Sequence, residues 1–151
     1  METVFRHLMV PTDFSEPGTA ALRLAVRLAQ MGDTRITLFH VGSLPQAATF
    51  DFPTYGVPMP ESLVQLQREL MAERGKALDR LAREEIPASV KWDQKLAEGY
   101  PPEEILNEVR MGSYDLLVMG THGHTGIKHA LLGSVTERVL RQSPVPVLVT
   151  R

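Results

Sequence analysis

Three glycines and a serine carry the strongest chemical signal in the chain. Gly120, Gly123, Gly133 and Ser134 stand in GTHGHTGIKHALLGSV with the spacing G-x2-G-x9-G-S. An apolar run leads straight into the first glycine, and a helical pattern starts at Ser134. A strand, a glycine loop and a helix start together make an anion cradle, because backbone N–H groups can approach a phosphate where side chains would stand in the way. His122, His124, Lys128 and His129 share the loop and could lie along a phosphate chain. The plainer alternative is a tight turn at the glycines, a helix cap at Ser134 and solvated basic side chains between them. The loop is neither G-x4-G-K-[ST] nor G-x-G-x-x-G, so it matches neither common phosphate fingerprint.

Two other positions could share that crevice. Asp13 in VPTDFS follows the first apolar run and precedes a helical segment. In open α/β sheets, ligands sit outside the C-terminal strand ends where strand order reverses. If the first and fourth strands are neighbours, Asp13 and Gly120 face one crevice. A carboxylate there repels phosphate but accepts hydrogen bonds from sugar hydroxyls or a base amino group. Asp13 is equally placed to cap the first helix, alone or with Ser15. Val41 ends the second run, and its N–H and C=O could serve the edge of a base lying in an apolar slot.

Catalytic machinery is not evident. There is no G-x-S-x-G elbow and no H-E-x-x-H helix, and the five histidines form no recognised ligand spacing. Glu103 and Glu104 read as helix-start charges. A site that cleaved a phosphoanhydride would lack an obvious positioned base or arginine finger. The absence of cysteine excludes thiolate catalysis, disulfides and cysteine-based zinc sites.

The elements that must position these residues alternate in type. Apolar runs at residues 4–10, 35–41, 89–96, 114–120 and 145–150 have the length and β-branched content of strands. ITLFHV and DLLVM are apolar on nearly every residue, which suits strands covered on both faces. Helical patterns fill residues 15–31, 60–85, a stretch opened by Pro101 and Pro102, and 134–142. Ser15 is the expected N-cap of the first, and Ser134 with Glu137 reads as a capping box for the last. The β-α-β-α-β-α-β-α-β order predicts an α/β fold, an open parallel sheet with right-handed crossovers. The connection from Val41 to Pro60 breaks the rhythm with Pro45, Pro53, Pro58 and Pro60 and three aromatics; Gly42–Met59 reads as a lid or a flexible insertion.

Composition sets the class. The chain has 151 residues, 43% hydrophobic and 23% charged, with a formal net charge of −2. These values suit one domain, residues 1–151, and argue against a broad nucleic-acid footprint. No run approaches the roughly 20 apolar residues of a membrane helix. The N-terminus lacks the pattern of a signal peptide, so the expected location is cytoplasmic, with no membrane partner.

These residues resemble the universal stress protein family in its ATP-binding branch. VPTDFS, FHV, EGYPPEEI and DLLVMGTHGHTGIKHALLGSVTERVLRQSPVPVLVTR carry the likeness over essentially the whole chain. It implies a Rossmann-like five-stranded parallel sheet in order 3-2-1-4-5, with helices on both faces and ATP (or ADP or AMP) across the strand ends. Pro11, Thr12, Asp13 and Val41 would border the adenosine. Met119, Gly120, Gly123, His124, Gly133, Ser134 and Val135 would lie along the ribose and phosphates, with Mg²⁺ as a possible companion of the triphosphate. His124 and Thr125 depart from the arginine or glycine common in that loop. The resemblance also implies a homodimer paired through Val145–Thr150. The leading function is a nucleotide-dependent stress-response sensor or switch. The alternatives are a slow ATPase or nucleotidyl- or phosphotransferase at the same site, and a dimeric interaction module independent of nucleotide. An FMN carrier fits less well, since its phosphate loop would follow the first strand.

Overall fold

The computed structural model describes residues 4–43, 56, 58–122 and 131–151. Gly123, His124, Lys128 and His129, and most of the Gly42–Met59 stretch, therefore lie outside the described residues. Five strands and four helices alternate: β1 (His7–Pro11), α1 (Glu16–Ala29), β2 (Arg35–Gly42), α2 (Glu61–Glu85), β3 (Trp92–Glu98), α3 (Pro101–Met111), β4 (Leu116–Gly120), α4 (Ser134–Gln142) and β5 (Val147–Thr150). All strand pairs are parallel, in the order β3-β2-β1-β4-β5. This is the architecture that the alternation and the family resemblance predict.

Strand alternation divides the core into two layers. Leu8, Val10, Ile36, Leu38, Leu116 and Val118 face α1 and α2, where they meet Ala21, Leu22, Ala25, Leu78 and Ala82. The intervening Met9, Phe39, Leu117 and Met119 face α3 and α4 and meet Ile105, Leu106, Val109 and Val139. The small residues of α1 let that helix lie close to the sheet, which sets where its N-terminus points. In α2 only the second half buries residues fully, Leu78 and Ala82, and Leu66 in the first half is exposed.

Several boundaries differ from the sequence reading. β1 begins at His7 and takes in Pro11, which pairs in register with Phe39. A proline is tolerated there because it sits at the last position of the strand. Gly42 belongs to β2, opposite Glu98, so the long connection starts one residue later than expected. β3 begins at Trp92 and β5 at Val147. The capping box is not formed. Gly133 is the N-cap of α4, without a side-chain cap bond, Ser134 is the first helical residue, and Glu137 pairs with Arg141 one turn on.

Candidate functional site

The chain reverses direction across the sheet between β1 and β4, and the ladder there is short. Only Leu8↔Leu116 and Met9↔Leu117 are paired, whereas β1 keeps five partners in β2. Beyond those pairs the C-terminal ends of β1 and β4 part. The crevice they leave is the position where open α/β sheets hold ligands. A cavity of about 270 Å³ occupies it.

Its apolar wall comes from four elements. Phe39 and Val41 project from β2, Met119 from β4, and Ile105 from the first turns of α3 behind Pro101. Pro11, Thr12, Asp13 and Gly18 form the side contributed by β1 and the start of α1. Gly120, His122, Gly133, Ser134, Val135 and Thr136 form the third side. Ten of the residues read from the sequence thus border one cavity: Pro11, Thr12, Asp13, Val41, Met119, Gly120, His122, Gly133, Ser134 and Val135. Gly18, Phe39, Pro101, Ile105 and Thr136 were not read as site residues. They carry no motif, and their place follows from how α1, α3 and α4 pack. Only the prolines opening α3 hinted that its first turn begins at the strand ends.

The described residues on either side of the glycine loop are tied together by two hydrogen bonds. Gly133 donates to the Thr121 carbonyl at 2.6 Å, and the Thr136 hydroxyl donates to the Gly120 carbonyl at 2.8 Å. A Cβ on Gly120 would meet the Pro17 carbonyl carbon and oxygen at 2.7 Å, and one on Gly133 would meet the His122 Cα at 3.0 Å. Gly120 is therefore required by the close approach of the Pro17 backbone, whereas at Gly133 a side chain would press on the His122 backbone. Glu137 makes the first intrahelical bond of α4, to the Gly133 carbonyl at 2.9 Å. The helix itself offers no acceptor to the amides of Ser134, Val135 and Thr136. Those donors, with the positive end of the helix dipole, suit an anion.

The opposite rim is built around Asp13. Its Oδ1 accepts from the Ser15 amide at 3.0 Å and from the Ser15 hydroxyl. Ser15 in turn caps α1, accepting from the Gly18 amide at 3.3 Å. The cap role expected of Ser15 is therefore direct, and Asp13 supports it from one side. Phe14 between them has φ +64°, the left-handed region that costs a non-glycine residue on the order of 1 kcal/mol. Three contacts offset that strain. Phe14 donates its amide to the Thr12 hydroxyl at 3.1 Å, its ring lies 4.6 Å from that of His40, and the Thr12 amide donates to the Phe39 carbonyl at 2.8 Å.

His40 fixes the turn from below. A carbonyl only accepts, so the contact of 2.8 Å between His40 Nδ1 and the Thr12 oxygen assigns the ring hydrogen to Nδ1. Burial holds the imidazole below its ordinary pKa, and the Arg74 guanidinium adds to that; the Thr12 bond and Asp13 act in the other direction. His40 is thus a neutral donor at neutral pH. Among the described residues, no group of three or more His, Asp or Glu side chains is placed to hold a metal ion, and no helix is long and apolar enough to cross a membrane.

Comparison with known proteins agrees with this geometry. The sequence profile described as "Universal stress protein family" matches residues 5–151. Universal stress protein MJ0531 of Methanocaldococcus jannaschii is 32% identical over 99% of this chain and 84% of its own. The solved structure of MJ0577, from the same organism, superposes with a TM-score of 0.78 at 29% identity, over 96% of this chain and 94% of that one. A universal stress protein solved in complex with cAMP has the same fold, with a TM-score of 0.61 at 22% identity over 97% of each chain.

Proposed function

The chain belongs to the universal stress protein family, and from that premise we propose that it binds an adenine nucleotide, ATP foremost, in the cavity between β1 and β4. One observation carries the reading: Asp13 and the α4 amides face the same cavity from opposite sides, with an apolar wall between them. That arrangement suits a molecule with an anionic end, a hydroxyl-bearing middle and a flat apolar end. The cAMP complex of a protein with this fold makes adenine the base to test first.

In this reading the base lies against Val41 and Phe39, with the Val41 backbone serving its polar edge. Pro11, Thr12 and Asp13 border the adenosine, and the Asp13 carboxylate accepts from the ribose hydroxyls. Met119, Gly120, Gly133, Ser134 and Val135 follow the ribose and phosphates, together with Gly123 and His124 of the loop outside the described residues. A Mg²⁺ ion would be held mainly by phosphate oxygens and water, the usual manner for that cation. The protein then acts as a sensor or switch. Nucleotide occupancy shifts the protein between two states that differ in what a partner meets, and the shift is limited by the difference in affinity between them. A homodimer through β5 fits the same reading, since β5 is an edge strand with Leu148 36% exposed, and pairing would cover that edge.

Calorimetric titration with ATP, ADP, AMP, FMN and NAD tests the proposal. Saturable binding of adenine nucleotides with no binding of FMN is the expected result; no saturable adenine-nucleotide binding would sink it. Asp13→Ala should weaken ATP more than inorganic triphosphate, and an equal loss for both would contradict the role given to its carboxylate. Turnover of roughly 10 per second, typical of enzymes, would transfer the site to the catalytic alternative.

A further inference from the structure

One turn along α4 from the cavity lies a cation that the nucleotide reading does not use. Arg138 lies on α4 one turn beyond Ser134 and on the same side of the helix as Ser134 and Val135. Helical side chains lean toward the N-terminus, so its guanidinium reaches back over that turn. It is found there: Cζ stands 5.4 Å from the centre of the Tyr100 ring, and Nη2 donates to Glu103 Oε1 at 3.4 Å. Tyr100 is the N-cap of α3, and the next residue, Pro101, lines the cavity. The guanidinium thus rests on Tyr100 and Glu103, which flank the cavity-lining Pro101 on α3, one turn along α4 from the cavity-lining Ser134.

Its present partners hold it loosely. Arg138 and Glu103 are 44% and 57% exposed, and their contact is long for a charge-assisted bond, which is usually about 2.7–2.9 Å. An exposed pair of this kind contributes little to stability. The ring of Tyr100 gives the planar cation a resting place without neutralising it. A phosphate oxygen would be a stronger partner than either, because a guanidinium can meet it through two parallel bonds.

We propose that Arg138 is a specificity residue of the nucleotide site: it leaves Glu103 to bind the phosphates beyond the α-phosphate, and so selects nucleoside di- and triphosphates over monophosphates. This inference rests on the adenine-nucleotide reading and deepens it. Glu103 is the competitor. Its carboxylate holds the arginine while the site is empty and is released when the polyphosphate arrives.

The test measures Kd for ATP and for AMP in the wild-type protein, Arg138→Gln, Arg138→Lys and Glu103→Gln. In Arg138→Gln the preference for ATP over AMP should fall about tenfold, the scale of one charge-assisted contact. Arg138→Lys should restore only part of it, since an ammonium cannot make the two-bond contact. Glu103→Gln should raise the preference by freeing the arginine. Equal losses for ATP and AMP in Arg138→Gln, or an unchanged ratio in both it and Glu103→Gln, would overturn the proposal while leaving the nucleotide site standing. If wild-type protein binds neither nucleotide, the underlying reading fails first. Thermal melts of each variant check that the exposed substitutions leave the fold intact.

Discussion

The two ends of the parallel sheet each bury a histidine, and they use it differently. At the N-terminal ends of the strands, His7 Nδ1 lies 3.0 Å from the Ser113 oxygen and Nε2 2.7 Å from the Thr37 hydroxyl, which donates to Asp93 at 2.5 Å. Asp115 accepts from the amides of Arg6 and His7 at 2.7 and 2.9 Å, and the Tyr114 phenol donates to Glu108 at 2.6 Å. At the C-terminal ends His40 bonds to the Thr12 carbonyl and serves a turn that borders a cavity. One end is knitted shut by its own polar groups. The other keeps a helix N-terminus, a carboxylate and an apolar wall facing an opening. Both ends contain polar residues, so polarity alone does not mark a site. What marks it is where helix-start amides, without acceptors in their own helix, border a cavity.

Breaking the open end should have the largest effect. Gly120→Val places a side chain where the Pro17 backbone stands 2.7 Å from the first added carbon. A loss of about 1–3 kcal/mol in stability is expected from such overpacking, together with loss of adenine-nucleotide binding. Denaturant melts and calorimetry measure both. A stable variant with full affinity would mean that the approach of α1 to β4 does not shape the cavity.

Breaking the closed end should cost less and leave binding alone. Asp115→Ala removes the acceptor of two amides at an exposed carboxylate, worth about 1 kcal/mol. Nucleotide affinity should stay within about twofold, since distant sites are close to additive. A large loss of affinity would show that the two ends are coupled.

The contrast between the ends was only half legible in the sequence. The strands are legible in the pattern: ITLFHV falls in β2 and LLVM in β4, both buried along most of their length, as runs apolar on nearly every residue should be. Ser15 was readable as a cap because its role is local, a side chain bonding an amide three residues on. The S-x-x-E pattern at Ser134 misled for the opposite reason. A tertiary contact, Gly133 to Thr121, makes the glycine the cap and moves Ser134 into the helix. Gly120 was read as an opening for phosphate, yet its immediate neighbour is Pro17, more than a hundred positions away in sequence. Phe39 and Ile105 escaped notice because an apolar wall has no spacing of its own. The His7–Thr37–Asp93 contacts join three strands and leave no pattern in any one of them.

Acidification should weaken the fold through both histidines. Each is held below the ordinary imidazole value of 6.5, chiefly by burial. The unfolded chain then takes up protons that the folded chain refuses. Stability is complete above pH 6.5 and declines as the pH falls from there toward the folded-state values. His40→Asn keeps an N–H for the Thr12 carbonyl and removes one of the two titrations. Its melting temperature should fall less steeply with acid than that of the wild type, and an unchanged slope would remove His40 from this account.

The smallest effect is spectroscopic. Burial, then the bond to Glu108, pushes the Tyr114 phenol up to about 12. Ultraviolet titration should show a tyrosine transition near pH 12, and Glu108→Gln should move it partly back toward the ordinary value. Because its folded value lies above that of the unfolded chain, its contribution to stability is lost as the pH rises past 10.

Backbone amide NMR during titration with ATP tests the central claim most directly. The account predicts saturable shift changes at Val41, Gly120, Ser134, Val135 and Thr136, with His7, Thr37 and Ser113 unmoved. No saturable change at the α4 amides, or changes centred on the His7 end, would contradict it.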